Sequence, residues 1–243
     1  MFRLTLRVPP TIPLEVDGLT PDRLAGLTAA EVAKLPVWHG NRREAVGEFF
    51  DVEPHGTPAL HFLGDTRNVK GIAARMSGGA VVVAGDVGTH AGAGMTGGSL
   101  TVEGGGGDWL GAEMTGGTID VRGSAGSQVG AAYRGSRRGM SGGMIRVRGD
   151  AGHELGLLMR RGMILVDGRV GDFAAASMIA GTIAAGRGFG ERTGAGMKRG
   201  TLVSFAGDPP LGPGFRFSCE YRPAFLGLLG KRLHDHGFDP ARE

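Results

Sequence analysis

The 243-residue chain carries 27 Lys and Arg against 24 Asp and Glu, a formal net charge of +3, and 48 of its residues are glycine. That share is roughly three times the usual ~7%, yet there is no Gly-X-Y triplet and 41% of residues are hydrophobic, which excludes collagen and a solvated low-complexity chain. The single cysteine, Cys219, excludes an intrachain disulfide framework and a multi-cysteine zinc or iron–sulfur site, and reads as a buried inert thiol.

Residues 1–58 predict an N-terminal cap with short helices. Thr20 before Pro21 reads as an N-cap and first helical residue, and Thr28 with Glu31 reads as a capping box that closes before Pro36. The opening MFRLTLRVPP lacks the apolar core of a signal peptide, and no 18-residue apolar run occurs anywhere, so the sequence predicts no membrane partner and a cytoplasmic location.

From 59 to 205 a repeat takes over. Met76, Met95, Met114, Met140, Met159, Met178 and Met197 stand in one register with a 19-residue period, broken once by the longer step from Met114 to Met140. The fifth and seventh residues after each methionine are apolar: Val81 and Val83, Leu100 and Val102, Ile119 and Val121, Ile145 and Val147, Ile164 and Val166, Ile183 and Ala185. That alternation is the period of a strand with one face buried.

Each strand is followed by G-x-x-G-x-x-x-G: Gly85, Gly88 and Gly92; Gly104, Gly107 and Gly111; Gly123, Gly126 and Gly130; Gly149, Gly152 and Gly156. Two later copies are degraded, to Gly168, Gly171 and Ala175 and to Arg187, Gly190 and Gly194, and those corners are expected to be wider or re-aimed. Glycines at fixed points suit corners that need positive φ or places where stacked backbones approach closely. One 19-residue unit offers too few inward side chains to form a core, so neighbours must supply it. The expectation is an all-β fold: a right-handed parallel β-helix of about seven coils with 19-residue GXXGXXXG repeats, capped by short α-helical segments at both ends. Thr101, Glu103, Asp120, Arg122, Arg146 and Arg148 should face solvent. Val82, Ala84 and Leu165 put apolar groups outward and should meet a cap or another subunit.

The one interruption of the period is a seven-residue insertion, Tyr133 to Gly139. It must bulge from the rod, and its Tyr133, Arg134, Arg137 and Arg138 have the composition of an interface anchor. They are candidate contacts to an acidic partner surface or a carboxylate-rich cofactor tail; a tolerated surface loop is the blander reading. Residues 206–243 predict a C-terminal extension with a docking helix: Leu226, Leu229 and Leu233 share a stripe beside Phe225, Gly237 is the stop, and the last coil or a partner is the surface it should meet.

Chemistry-bearing clusters are sparse. The seven histidines do not fall on one repeat position, and His234 and His236 diverge on a helix, so neither a metal site nor catalytic residues are predicted. Asp86, Asp108, Asp150 and Asp172 follow the strands but split between two repeat positions; turn hydrogen bonding explains them more simply than an acid/base cluster. A self-contained β-helix enzyme would have to use a set such as Asp150, His153 and Glu154. The GRGFG stretch at 186–190 lacks the strand–helix context and Lys-Ser/Thr of a phosphate loop, and nothing resembles an aromatic ladder for nucleic acid.

The repeat, the front segment from Gly18 with Leu35-Pro-Val-Trp-His-Gly-Asn41, and the closing Phe-Leu-x-Leu-Leu helix together resemble the C subunit of formylmethanofuran dehydrogenase over essentially the whole chain. The GXXGXXXG array is shared with the C-terminal domain of the glutamate synthase large subunit. Arginine richness with only four lysines tilts the resemblance towards the bacterial formyltransferase/hydrolase complex. That complex moves a formyl group from tetrahydromethanopterin to a methanofuran-type cofactor and hydrolyses it to formate in formaldehyde oxidation. The resemblance implies a non-catalytic assembly subunit that binds no cofactor itself, with a formyltransferase subunit and a zinc-bearing, amidohydrolase-like subunit as partners. The alternative it implies is the C subunit of a tungsten or molybdenum formylmethanofuran dehydrogenase.

Overall fold

A computed structural model describes residues 1–238. The front of the chain runs β1 (Phe2–Leu6), β2 (Leu14–Glu15), α1 (Pro21–Leu24), α2 (Ala29–Ala33), β3 (Pro36–His39), β4 (Arg42–Ala45), α3 (Val46–Phe49) and β5 (Phe50–Pro54). The coils follow as β6 (Leu60–Leu63), β7 (Val69–Lys70), β8 (Ala80–Val83), β9 (Ser99–Val102), β10 (Thr118–Val121), β11 (Ser141–Val147), β12 (Arg161–Val166), β13 (Thr182–Ala185) and β14 (Thr201–Ser204), and α4 (Phe225–Asp235) closes the described chain. The principal sheet has the order β14-β13-β12-β11-β10-β9-β8-β6-β1-β5, and a smaller one has the order β4-β3-β2-β7.

In the principal sheet every pairing from β6 to β14 is parallel, with matching repeat positions side by side, as in Val81↔Leu100 and Ile119↔Ile145. This is the expected parallel β-helix, with eight stacked strands where the methionine register gave seven. The extra coil escapes that register because Leu60 pairs with Val81 across a step slightly longer than the common period. Beyond β6 the sheet continues into β1, parallel, and then β5, antiparallel, so the chain covers its own front edge.

Inside the rod, the predicted pairs from Val81 and Val83 to Ile183 and Ala185 and the methionines from Met76 to Met178 are all buried. Burying one Val, Leu, Ile or Met contributes about 1.5–3 kcal/mol, so the three such side chains of one coil contribute roughly 5–9 kcal/mol in gross terms, all of it dependent on the neighbouring coils.

The three glycines of the motif do different work. The first two are close approaches, except Gly85 of the first copy, whose nearest neighbour would be 3.8 Å away: a Cβ on Gly104 would lie 2.7 Å from Asp86 N, and one on Gly107 2.7 Å from Gly88 C. The third is left-handed, at φ +61° in Gly111. Ala175 adopts the same conformation at φ +58°, and Arg187 N donates to Gly168 O at 3.0 Å as Gly168 N does to Gly149 O at 3.1 Å. The fifth corner therefore keeps the shape of the others, whereas the sixth keeps the bond between coils but is re-aimed at Gly188, which is left-handed at φ +84° where Arg169 and Gly105, at the same repeat position, are not. Left-handed residues alternate through each turn, as at Trp109, Gly111 and Glu113. Such a φ costs a non-glycine residue about 1–2 kcal/mol. It is held by hydrogen bonds in both directions: Gly111 N donates to Ala91 O in the preceding coil, while Trp109 N and Glu113 N donate to Ser127 O and Ala131 O in the following one.

At the front, the capping box at Thr28 and Glu31 is present, whereas Thr20 precedes Pro21 without a side-chain cap bond. Asp22 ties α1 to the first methionine corner by accepting from Ser77 Oγ at 2.7 Å. At the back, Gly237 terminates α4 at φ +68°. The helix docks on the outer face of the later strands and reaches the last coil, as expected, through Val203 of β14. Leu233 and Phe238 cover Met163, Leu165 and Ala184, while Leu226 and Phe225 of the predicted stripe stay exposed. Leu165 thus meets the chain's own helix, and Arg146, expected in solvent, is 5% exposed beneath it. Val82 is half-buried and Ala84 exposed. Cys219 is exposed rather than buried. Residues 239–243 of the predicted extension lie outside the described residues.

Candidate functional site

The insertion leaves the rod after the turn that contains Gly130. Ser136 Oγ accepts from Arg138 N at 3.3 Å, and Arg160 in the next coil donates to Arg137 O at 3.0 Å, which pins the loop to the rod. Arg134, Arg137 and Arg138 are exposed, and none has an ion-pair partner among the described residues. Tyr133 departs from them. It folds back against the rod, where its ring stacks on Trp109 with centroids 5.0 Å apart and its hydroxyl shares a 3.0 Å hydrogen bond with His90 Nδ1. Its amide donates to Glu113 Oε1 at 3.1 Å.

Tyr133, His90 and Glu113 line one wall of a cleft of about 340 Å³ between the front cap and the coils. Glu15 and Asp17 come from the cap, Lys70 and Arg75 from the first coil, His90 from the second and Glu113 from the third. Partial burial lowers the His90 pKa from its ordinary value of 6.5, with the positive charge of Lys70 adding to the effect. Burial also raises the Tyr133 phenol, with the Glu113 carboxylate second. At neutral pH the His90–Tyr133 pair is therefore uncharged, set among charged groups that face each other across about 4 Å, Lys70 with Glu15 and Arg75 with Asp17.

Neither His90 nor Trp109 stands out in the sequence, but a signal is there. They share one position of the 19-residue repeat, and that column continues through Gln128, Glu154, Phe173 and Arg192. The structure turns the column into a ladder of pairs: His90 on Trp109, Gln128 Nε2 donating to Glu154 Oε2 at 2.8 Å, and the Arg192 guanidinium 5.3 Å from the centre of the Phe173 ring.

The aspartates form a second ladder. Asp86, Asp108, Asp150 and Asp172 each accept, through Oδ1, from the backbone N–H of the residue one repeat further along: Gly105, Ser127, Arg169 and Glu191, at 2.6–2.8 Å. His153 Nδ1 likewise accepts from Asp172 N at 3.0 Å. Asp150, His153 and Glu154 are thus each engaged in bonds between coils. Among the described residues no three His, Cys, Asp or Glu side chains are grouped to hold a metal ion, and no helix is long and apolar enough to cross a membrane.

No protein-family model matches the chain. Curated relatives match through part of the repeat. The chain is 40% identical over 83 residues to the C subunit of the molybdenum-containing formylmethanofuran dehydrogenase 1 of Methanothermobacter thermautotrophicus, a stretch that is 33% of this chain and 21% of that protein. It is 40% identical over 96 residues to the C subunit of the tungsten-containing formylmethanofuran dehydrogenase 2 of Methanothermobacter wolfeii, 37% of this chain and 36% of that one. The matched stretch thus spans well under half of either relative. A solved chain matches throughout. It belongs to the formyltransferase/hydrolase complex of Methylorubrum extorquens, crystallised with methylofuran, and is 36% identical with a TM-score of 0.92 over 98% of this chain and 89% of its own. With near-complete coverage on both sides of that match, the chain belongs to the family of formylmethanofuran dehydrogenase C subunits and is similar throughout to a chain of the formyltransferase/hydrolase complex.

Proposed function

We propose that this chain is a non-catalytic assembly subunit of a formyltransferase/hydrolase complex. Residues 59–205 serve as the rod, 1–58 as its cap, and 206–243 as an extension that carries a docking helix. The complex transfers a formyl group from formyl-tetrahydromethanopterin to a methanofuran-type cofactor and hydrolyses the product to formate. The observation that carries the reading is the end-to-end match to a chain of such a complex, at a TM-score of 0.92. The aspartate ladder supports it: these carboxylates are hydrogen-bonded to the next coil's backbone and contribute to stacking. In this reading a formyltransferase subunit and a zinc-bearing, amidohydrolase-like subunit perform the chemistry, in the cytoplasm, and this chain binds no cofactor of its own.

Within that frame, Arg134, Arg137 and Arg138 contact an acidic partner surface or the carboxylate-rich tail of the cofactor, because three exposed guanidiniums on a pinned loop form a site for anions. A second reading, the C subunit of a tungsten or molybdenum dehydrogenase, is favoured by the partial matches to those proteins. Purification of the native complex with subunit identification and metal analysis separates the two. Zinc with formyltransferase and hydrolase subunits supports the first, and tungsten or molybdenum with redox subunits replaces it by the second.

A further inference from the structure

The two ends of the rod are finished differently. At the front, β6 is covered by β1 and β1 by β5. At the back, β14 pairs with β13 and has no strand on its other side among the described residues. Thr201 N and Phe205 N donate to Gly181 O and Ala185 O. By the period of the strand, the N–H groups of Leu202 and Ser204 therefore point away from β13, and an open edge of this kind is a template for another strand.

The core is also open here. Met197 and Leu202 are partly exposed, whereas Met178 and Ile183, one coil earlier, are fully buried. The chain beyond β14 lays Leu211 beside Thr193 and Phe215 over Gly194. That covers one corner and leaves Phe205, Leu211 and Phe215 at 39–45% exposure.

Charge identifies the occupant. Lys198 and Arg199, in the turn that leads into β14, have no ion-pair partner among the described residues, and Arg199 is exposed. From Glu191 to Arg222 the chain holds five Lys or Arg against three Asp or Glu. A second copy docked end to end about a two-fold axis would set these cations against themselves, which is costly at an interface.

We propose that the back end of the rod docks a different subunit, which adds an extended segment to β14, seats apolar side chains over Leu202 and Phe215, and places carboxylates opposite Lys198 and Arg199. The proposal rests on the assembly reading and adds where, and to what chemistry, the subunit binds.

The test uses the complex purified through a tagged chain, wild type against Lys198→Glu/Arg199→Glu and against Ser204→Pro, a change an edge strand tolerates but that removes one outward donor. Unchanged melting of each isolated variant establishes that it folds. Expected are apparent affinity for the remaining subunits weaker by about tenfold or more, and slower hydrogen exchange at Leu202 and Ser204 in the complex than in the isolated chain. Equal assembly of wild type and both folded variants, with unchanged exchange at those amides, overturns the docking surface and leaves the assembly reading standing. Failure of the wild-type chain to associate with any subunit of the complex overturns both. Dimerisation of the isolated chain that Lys198→Glu/Arg199→Glu strengthens would replace the proposed partner by a second copy.

Discussion

The Asp86 carboxylate occupies the space that a side chain on Gly104 would need: a Cβ there would overlap Oδ1. The same exclusion joins Asp108 to Gly126, Asp150 to Gly168 and Asp172 to Gly190. Glycine and aspartate are thus one device, in which the missing Cβ lets the carboxylate of one coil reach the next coil's backbone N–H. Gly104→Ala should destabilise by about 1–3 kcal/mol, and removing the carboxylate should rescue it only in part, because Asp86 N and Gly85 C also lie 2.7 Å from the new methyl. At Gly85 the nearest atom, Gly64 O, is 3.8 Å away, so Gly85→Ala should be nearly neutral. Thermal unfolding of the variants checks both; equal melting temperatures for Gly104→Ala and Gly85→Ala would contradict the account.

His90 gives the fold an acid dependence. With its pKa lowered by burial and then by Lys70, the folded state binds fewer protons than the unfolded state between the lowered value and the ordinary one. Stability therefore rises with pH across that window and falls as pH drops below about 6.5. His61, also lowered by burial and by neighbouring His55 and Arg3, acts in the same direction. An NMR titration should place the His90 midpoint below 6.5, and His90→Gln should reduce the loss of stability between neutral pH and about pH 5. A His90 midpoint at or above the ordinary value would remove the burial argument.

Arg146 holds α4. Its guanidinium donates to His236 O, to Gly237 O at 2.7 Å and to Asp167 Oδ2 at 2.9 Å, and charge-assisted bonds of this kind contribute about 1.5–3 kcal/mol each when sheltered. Arg146→Ala should release the helix and speed hydrogen exchange in α4, while the strands β8 to β10 exchange as before. Unchanged exchange in α4 would show that Leu233 and Phe238 hold it alone.

The arginine loop should matter for binding and little for folding. Replacing Arg134, Arg137 and Arg138 together by alanine should shift stability by less than about 0.5 kcal/mol and weaken association with a polyglutamate-bearing cofactor or an acidic subunit face. Thermal unfolding checks the first and calorimetric titration the second; unchanged affinity together with unchanged assembly would leave the loop a bystander.

The rod was legible because each coil repeats the same solution: Met, the Ile/Val pair and the glycines recur with one 19-residue period, and period alone reports which side chains share a column. What escaped were features that break the period or depend on who covers whom. The coil at Leu60 pairs with Val81 across a longer step. Arg146 reads as solvated on its strand and becomes buried only because a helix from the far end of the chain returns across it. Tyr133 was visible as part of the insertion, but His90 and Trp109 are ordinary polar and aromatic residues until stacking sets them beside it. The functions of the first two glycines and of the third, close approach and left-handed turn, cannot be told apart from composition, because glycine answers both needs.

The most direct test of the central claim is formate release from formyl-tetrahydromethanopterin in the presence of the methanofuran-type cofactor, measured for the isolated chain and for the complex purified through it. The account predicts turnover by the complex and none by the chain alone. Sustained formate release by the isolated, metal-replete chain would contradict it and make this rod an enzyme in its own right.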